Sequence, residues 1–246
     1  MTRNNDSECL YEAMTPEQFL KHLQECPVAY LPLGTLEWHG PHNPLGADGL
    51  QSELFFRRFA AQYGGIVLPK LFLGPDRRKK SGAVPLYGMD FCTHDAIIEY
   101  KDQKLPGSAY WTDDALFDSL LKNIAAQLKR AGFEVLVAHG HGPSTKHFQA
   151  LHEEFRRAGI RSLTLFDLPL SDDLKFQNDH AAANETSILL ALCPELVHME
   201  NLERFPETAM AGKDPLRFAS REYGMEIIRA NQEVLSRQLD ILLQRK

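Results

Sequence analysis

Leu31-Pro-Leu-Gly-Thr-Leu-Glu-Trp-His-Gly-Pro-His-Asn-Pro-Leu-Gly-Ala-Asp48 is an apolar run that empties into a short segment carrying Glu37, His39, His42 and Asp48. Carboxylate and imidazole together suit Zn²⁺, Mn²⁺ or Fe²⁺, because borderline divalent ions accept both oxygen and nitrogen donors. A histidine-containing set without thiolates argues against Ca²⁺ or an iron–sulfur cluster. Two further stretches have the same character. Val135-Leu-Val-Ala-His-Gly-His141 ends a second apolar run on histidine, and Asp179-His180-Ala-Ala-Ala-Asn-Glu185 sets His and Glu before a helix-like stretch.

Outward from that segment, helical and strand patterns alternate, which implies an α/β fold with a largely parallel sheet. Thr15-Pro16-Glu17 opens a helix whose Phe19, Leu20 and Leu23 share a face, and Val28 to Leu33 is the first strand. Gly49 to Tyr63 reads as a helix closed by Gly64-Gly65, and Ile66 to Leu73 as the next strand. Periodicity is lost from Gly74 to Ser108, a length that suits a lid, a binding loop or a subunit contact. Thr112-Asp113-Asp114 caps a helix running to Arg130, Phe133 to Ala138 is a buried strand, and a helix over about 144–158 follows. The strand Ser162 to Phe166, a helix over about 184–192 and an amphipathic helix over 216–245 complete the pattern.

In open α/β sheets a site forms outside the carboxyl ends of the strands, and Glu37-Trp-His39 and His139-Gly-His141 both stand just past such an end. Glu37 and His39, two apart on an extended segment, point to the same side and suit one ligand for each of two adjacent ions. Asp48 starts the following helix, where a carboxylate accepts backbone N–H bonds or bridges two ions. Taken singly, Glu37 reads as a surface carboxylate, Asp48 as an N-cap, and His39, His141 or His180 as a satisfied histidine. Three such clusters at strand ends or helix starts, in a chain with 10 histidines, favour a metal site.

Length and charge bound the rest. The 246 residues fit a single domain over 1–246, and a net charge of −6 without a basic stripe gives no footing for nucleic acid. No apolar run reaches the ~20 residues of a spanning helix, and the polar N-terminus lacks signal-peptide order, so no membrane partner and a cytoplasmic location are expected. Cys9, Cys26, Cys92 and Cys193 are scattered and read as reduced, mostly buried small hydrophobes.

The opening segment resembles that of the creatininase (creatinine amidohydrolase) family, roughly L-P-x-G-S-x-E-x-H-G-x-H-L-P-x-x-x-D. Leu105-Pro-Gly-Ser is similar to that family's F-P-G-T, Ala138-His-Gly-His-Gly-Pro-Ser to N-G-H-G-G-N, and His180-Ala-Ala-Ala-Asn-Glu-Thr-Ser to H-A-G-x-x-E-T-S. The resemblance implies a three-layer α/β/α sandwich, a two-metal hydrolase site and a homohexamer. It implies that Glu37 and His141 bind one divalent ion and His39 and Glu185 the other, with Asp48 bridging and Zn²⁺ ahead of Mn²⁺ or Fe²⁺. Two such ions share a hydroxide at neutral pH and polarise a carbonyl, and His180 matches the residue that would pass a proton to the leaving nitrogen.

The chain departs from the family pattern in places. His139 and Ser144 replace the family's asparagines, and Pro143 stands where creatininase has a glutamate, which is why Glu185 takes that catalytic ligand role. Trp38 is a candidate pocket wall, and Arg77, Arg78, Lys79 and Lys80 could meet a polar or anionic substrate. The expected activity is metal-dependent hydrolysis of a small molecule, opening a cyclic amide or formamide-like C–N bond. The alternatives are hydrolysis of a polar cyclic ketone or lactone derived from a sugar or cyclitol, and an inactive binding or scaffold member.

Overall fold

A computed structural model describes residues 8–91, 101–204 and 209–245. Its centre is a parallel sheet in which β1 (Val28–Leu33) and β5 (Val135–Gly140) are the inner strands, flanked by β2 (Ile66–Val67) and β6 (Arg161–Leu163) in the order β2-β1-β5-β6. The register pairs Val28 with Val135 and Leu33 with Gly140, so both inner strands stop at the same level. Every residue of β1 and β5 is buried, as strands covered on both faces require.

Alternation along β1 sorts the core into two layers. Val28 and Tyr30 face Phe55, Phe56 and Phe59 of α2 (Ala47–Tyr63), Ile188 of α6 (Ala183–Leu192), and Ile227, Ile228 and Leu235 of α8 (Arg221–Leu243). Ala29, Leu31 and Leu33 face Phe117, Leu121 and Leu128 of α3 (Asp114–Ala131), Phe148 of α4 (Gly142–Ala150) and Phe155 of α5 (His152–Arg157). Phe19 and Leu23 of α1 (Pro16–Glu25) pack on that second layer. The three-layer α/β/α expectation therefore holds. α1 begins as its sequence indicates: Thr15 Oγ1 accepts from the Gln18 N–H at 3.3 Å, and Gln18 Oε1 accepts from the Thr15 N–H at 2.8 Å.

Four expectations need correction. The strand over 66–73 shrinks to two residues because Pro69 has no N–H for the ladder, although pairing resumes where the Leu71 N–H donates to Pro32 O at 3.0 Å. The helix over 144–158 is two helices parted at Leu151, beside His152, whose ring binds Ser162 Oγ at 2.6 Å and Asp167 Oδ2 at 3.1 Å. The terminal helix is likewise broken into α7 (Pro215–Phe218) and α8, the second capped by Ser220 Oγ accepting from the Tyr223 N–H at 3.1 Å. The segment 74–108 contains an antiparallel hairpin of β3 (Arg78–Ser81) and β4 (Val84–Tyr87). Cys9, Cys26 and Cys193 are buried and free, while Cys92 lies outside the described residues. No helix among the described residues is long and apolar enough to cross a membrane.

Candidate metal centre

The site lies at the carboxyl ends of β1 and β5. Gly140 closes the two strands on each other: at φ +147, a Cβ there would stand 1.6 Å from the Leu33 carbonyl oxygen. Only glycine permits that approach, and it delivers His141 to the segment carrying Glu37 and His39. From the other side, α2 contributes Asp48 in its first turn and α6 contributes Glu185 in its own. The Asp179 carboxylate fastens the start of α6, accepting from the Asn184 N–H at 2.7 Å and the Glu185 N–H at 3.0 Å.

All five sequence-predicted metal residues converge. His39 Nε2 is 3.3 Å from Asp48 Oδ1 and 3.9 Å from Glu185 Oε2, while His141 Nδ1 is 3.1 Å from both Glu37 Oε1 and Asp48 Oδ2. Asp48 thus reaches both histidines, one with each oxygen, which is the position expected of a bridge. His39, Asp48 and Glu185 bring donor atoms within 4.8 Å of one another, and so do Glu37, Asp76 and His141. Asp76 is the residue that sequence reasoning missed. It stands in an irregular loop well beyond the end of β2 at Val67, so no strand-end signal marks it.

Both rings share a second feature. Nδ1 orients each ring, lying 3.1 Å from the Glu37 carbonyl in His39 and 3.1 Å from Asp48 Oδ2 in His141. The Nε2 atoms of His39 and His141 are buried and have no hydrogen-bond partner. Two buried imidazoles whose nitrogens face carboxylates form a donor set that fits divalent cations.

The electrostatics agree with that fit. Burial alone would lower the His39 ring, yet Asp48 and Glu185 raise it to about 10. Burial works to raise the Asp48 carboxyl, but His39 and His141 overcome it and hold the group well below its ordinary value. Glu185 moves the other way, raised well above its ordinary value by burial and by the charge of Asp48 beside it. Negative charge is therefore in excess here, a condition that bound cations relieve.

His180 stands beside the cluster, its ring 4.4 Å from that of His39 and its Nδ1 3.9 Å from Glu37 Oε1. Its Nε2–H donates to the Trp38 carbonyl at 2.8 Å. Burial and the neighbouring His39 lower its pKa, so the ring is neutral with its lone pair on Nδ1. Glu37, Asp48, Asp76, His141, His180 and Glu185 line a cavity of about 1090 Å³.

Other candidates fall elsewhere. The Trp38 side chain packs on Met89, Leu105 and Ala209 and is not among the cavity-lining residues. Of the basic run, Arg77 lines the cavity, whereas Arg78 donates to the Thr112 carbonyl and Lys79 pairs with Asp102. His139 is buried against Phe166 and Phe176, with burial lowering its pKa to about 4, and its Nε2 lies 3.3 Å from the Phe176 carbonyl. It is a neutral packing residue.

Comparison with known proteins adds the following. A sequence profile of the creatininase family, described as creatinine amidohydrolase, matches residues 12–231. Creatinine amidohydrolase of Pseudomonas putida is 27% identical over 199 residues, which cover 73% of this chain and 69% of that protein. The 3-dehydro-scyllo-inosose hydrolase of Thermotoga maritima is 23% identical over 202 residues, covering 77% of this chain and 58% of that protein. Two solved creatininases, a mutant of Zn–Zn type and a form described with Mn, superpose with TM-scores of 0.65 and 0.64. Both are 23% identical and cover 94% of this chain and 97% of theirs.

Proposed function

The chain belongs to the creatininase family, and we propose that it is a hydrolase of small molecules that works with two divalent metal ions. Glu37 and His141 would hold one ion, His39 and Glu185 the other, and Asp48 would join them. The observation that carries this reading is the pair of buried histidines set on either side of Asp48, His39 Nε2 standing 3.3 Å from one carboxylate oxygen and His141 Nδ1 3.1 Å from the other. When bound, two such ions supply an activated water at neutral pH and a Lewis acid for the substrate carbonyl. Zn²⁺ is the first candidate, followed by Mn²⁺ and Fe²⁺.

The remaining work falls to the protein. The Glu37 carbonyl, 3.1 Å from His39 Nδ1, orients that ring with Nε2 toward Asp48 and Glu185. The Ala181 N–H donates to Glu185 Oε2 at 2.7 Å and fixes that carboxylate. His180 presents a neutral Nδ1 at the cavity wall and would take up a proton there and return it to the leaving group.

For the bond cleaved, the leading reading is a cyclic amide or formamide-like C–N bond, in line with the amidohydrolase relative. The inosose hydrolase relative favours a second reading, opening of a polar cyclic ketone or lactone derived from a cyclitol or sugar. The test is elemental analysis of protein purified without added metal or chelator, followed by a panel of lactams, formamides, lactones and cyclic ketones under the metal found. About two ions per chain and turnover on one class are expected. Release of an amine separates the first reading from the second. A chain that takes up no ion, even on reconstitution, refutes the metallohydrolase assignment.

A further inference from the structure

The half-site around His141 holds a residue that none of the sequence motifs contains. Asp76 is buried in the loop that leads into the β3–β4 hairpin, with Oδ2 3.4 Å from His141 Nε2. We infer that Asp76 is a third ligand, with Glu37 and His141, to one of the two ions. The inference rests on the two-metal reading above and extends it.

The first argument is where the donor atoms stand. His141 Nε2 is buried without a hydrogen-bond partner although Asp76 Oδ2 lies 3.4 Å away. A buried ring nitrogen facing a carboxylate oxygen is a pair of donor atoms that one cation can share. The donor atoms of Glu37, Asp76 and His141 lie within 4.8 Å of one another, close enough to share one ion.

The second argument is how Asp76 is aimed. Its Oδ1 accepts from the Arg77 N–H at 2.6 Å, which leaves Oδ2 turned toward the ring. Gly88, at the far end of the hairpin, is held to that loop by its N–H donating to the Arg77 carbonyl at 3.0 Å. A Cβ on Gly88 would stand 2.4 Å from Asp76 Oδ2 and 3.0 Å from Glu37 Oε2. The bare glycine lets these two carboxylates approach the same space. Charge supplies the third argument: the carboxyl groups of Glu37, Asp48, Asp76 and Glu185 are all buried in one site, a burial of acidic groups that bound cations offset.

The experiment is a metal titration of the full chain and of Asp76→Asn, with stoichiometry by elemental analysis, affinity by competition with a chromophoric chelator, and Co²⁺ as a spectroscopic probe. Wild type is expected to bind two ions. Asp76→Asn is expected to keep the ion at His39, Asp48 and Glu185 and to weaken the other by about tenfold or more, with a changed Co²⁺ ligand-field band for that ion alone. Asp76→Glu is expected to restore most of the affinity. Should Asp76→Asn fold poorly, Gly88→Ala tests the same point, because its Cβ displaces Oδ2 while every ligand is retained; it should weaken the same ion.

Two ions of unchanged affinity and unchanged Co²⁺ spectrum in Asp76→Asn, or in Gly88→Ala where that variant stands in for it, overturn the role of Asp76 and leave the two-metal reading standing. A wild-type chain that binds no ion refutes that reading itself.

Discussion

Replacing Gly224 by alanine tests whether the packing that presents Glu185 is as close as the structure requires. Gly224 lies on α8 where it crosses α6, and a Cβ there would stand 1.9 Å from the Ser187 carbonyl oxygen, 2.4 Å from its carbon and 3.0 Å from Ala191 Cβ. Ordinary contact is about 3.5 Å, so the helices must part by roughly 1.5 Å, and a backbone carbonyl cannot rotate away. Overpacking of this kind costs about 1–3 kcal/mol, and a backbone clash belongs at the upper end. Alanine returns about 1 kcal/mol of helix propensity, leaving a net loss of about 2 kcal/mol. For a chain of this size that lowers Tm by about 4–8 °C.

The assay is thermal and urea unfolding in the presence of chelator, so that bound ions do not add to stability. Gly142→Ala serves as the control, because a Cβ there meets nothing within 4 Å. Gly224→Ala within about 0.5 kcal/mol of the parent, a difference no larger than ordinary surface substitutions give, would refute the close crossing. Ser187 is two residues beyond Glu185 on α6, so the same variant should also weaken the ion at His39, Asp48 and Glu185 more than the other.

Asp48→Asn, nearly the same shape, should keep the circular dichroism of the parent but lose ions and turnover, because both of its oxygens face a histidine; full turnover in that variant would sink the bridging role. His180→Ala should retain the metal content of the parent while kcat on the substrate found by the panel falls by about 10²–10⁴-fold, and an unchanged kcat removes it from proton transfer. Asp167 gives a pH signature. Against the upward push of burial, bonds from His152, Thr164 and Gln149 hold its carboxyl at about 2. A depressed carboxylate contributes stability above its unfolded pKa and loses it as pH falls through the folded one. Asp167→Asn should therefore be less stable by roughly 1 kcal/mol, after allowance for solvent screening, above about pH 5, with the gap closing toward pH 2. A gap that stays constant with pH argues against the effect.

What the sequence revealed about the fold follows from where apolar side chains had to go. β1 and β5 were legible because strands buried on both faces must be continuously apolar, and α3 because its buried Phe117, Leu121, Ala125 and Leu128 recur at helical spacing. The β3–β4 hairpin was not legible. All four residues of β3 are exposed, so nothing imposes alternation on Arg78-Lys-Lys-Ser, and only pairing with Val84–Tyr87 makes it a strand. The break at Leu151 was hidden for a different reason: no glycine or proline marks it, and His152 is engaged by Ser162 and Asp167 across space.

The site divides along the same line. Glu37, His39, Asp48, His141 and Glu185 could be found because each follows the end of a buried strand or sits in the first turn of a helix, where apolar pattern gives way to donors. Asp76 could not be found in that way, since β2 ends at Val67 and the chain reaches Asp76 through an irregular path. Yet its position obeys the same physics. Its carboxylate is buried beside His141 Nε2, with the other oxygen already held by the Arg77 N–H. The acidic neighbours that raise His39 to about 10 have a counterpart in the second half of the cavity, where Glu37, Asp76 and His141 bring donor atoms within 4.8 Å of one another. Two cations, one in each half, would satisfy both groups, as the proposed two-metal reading requires.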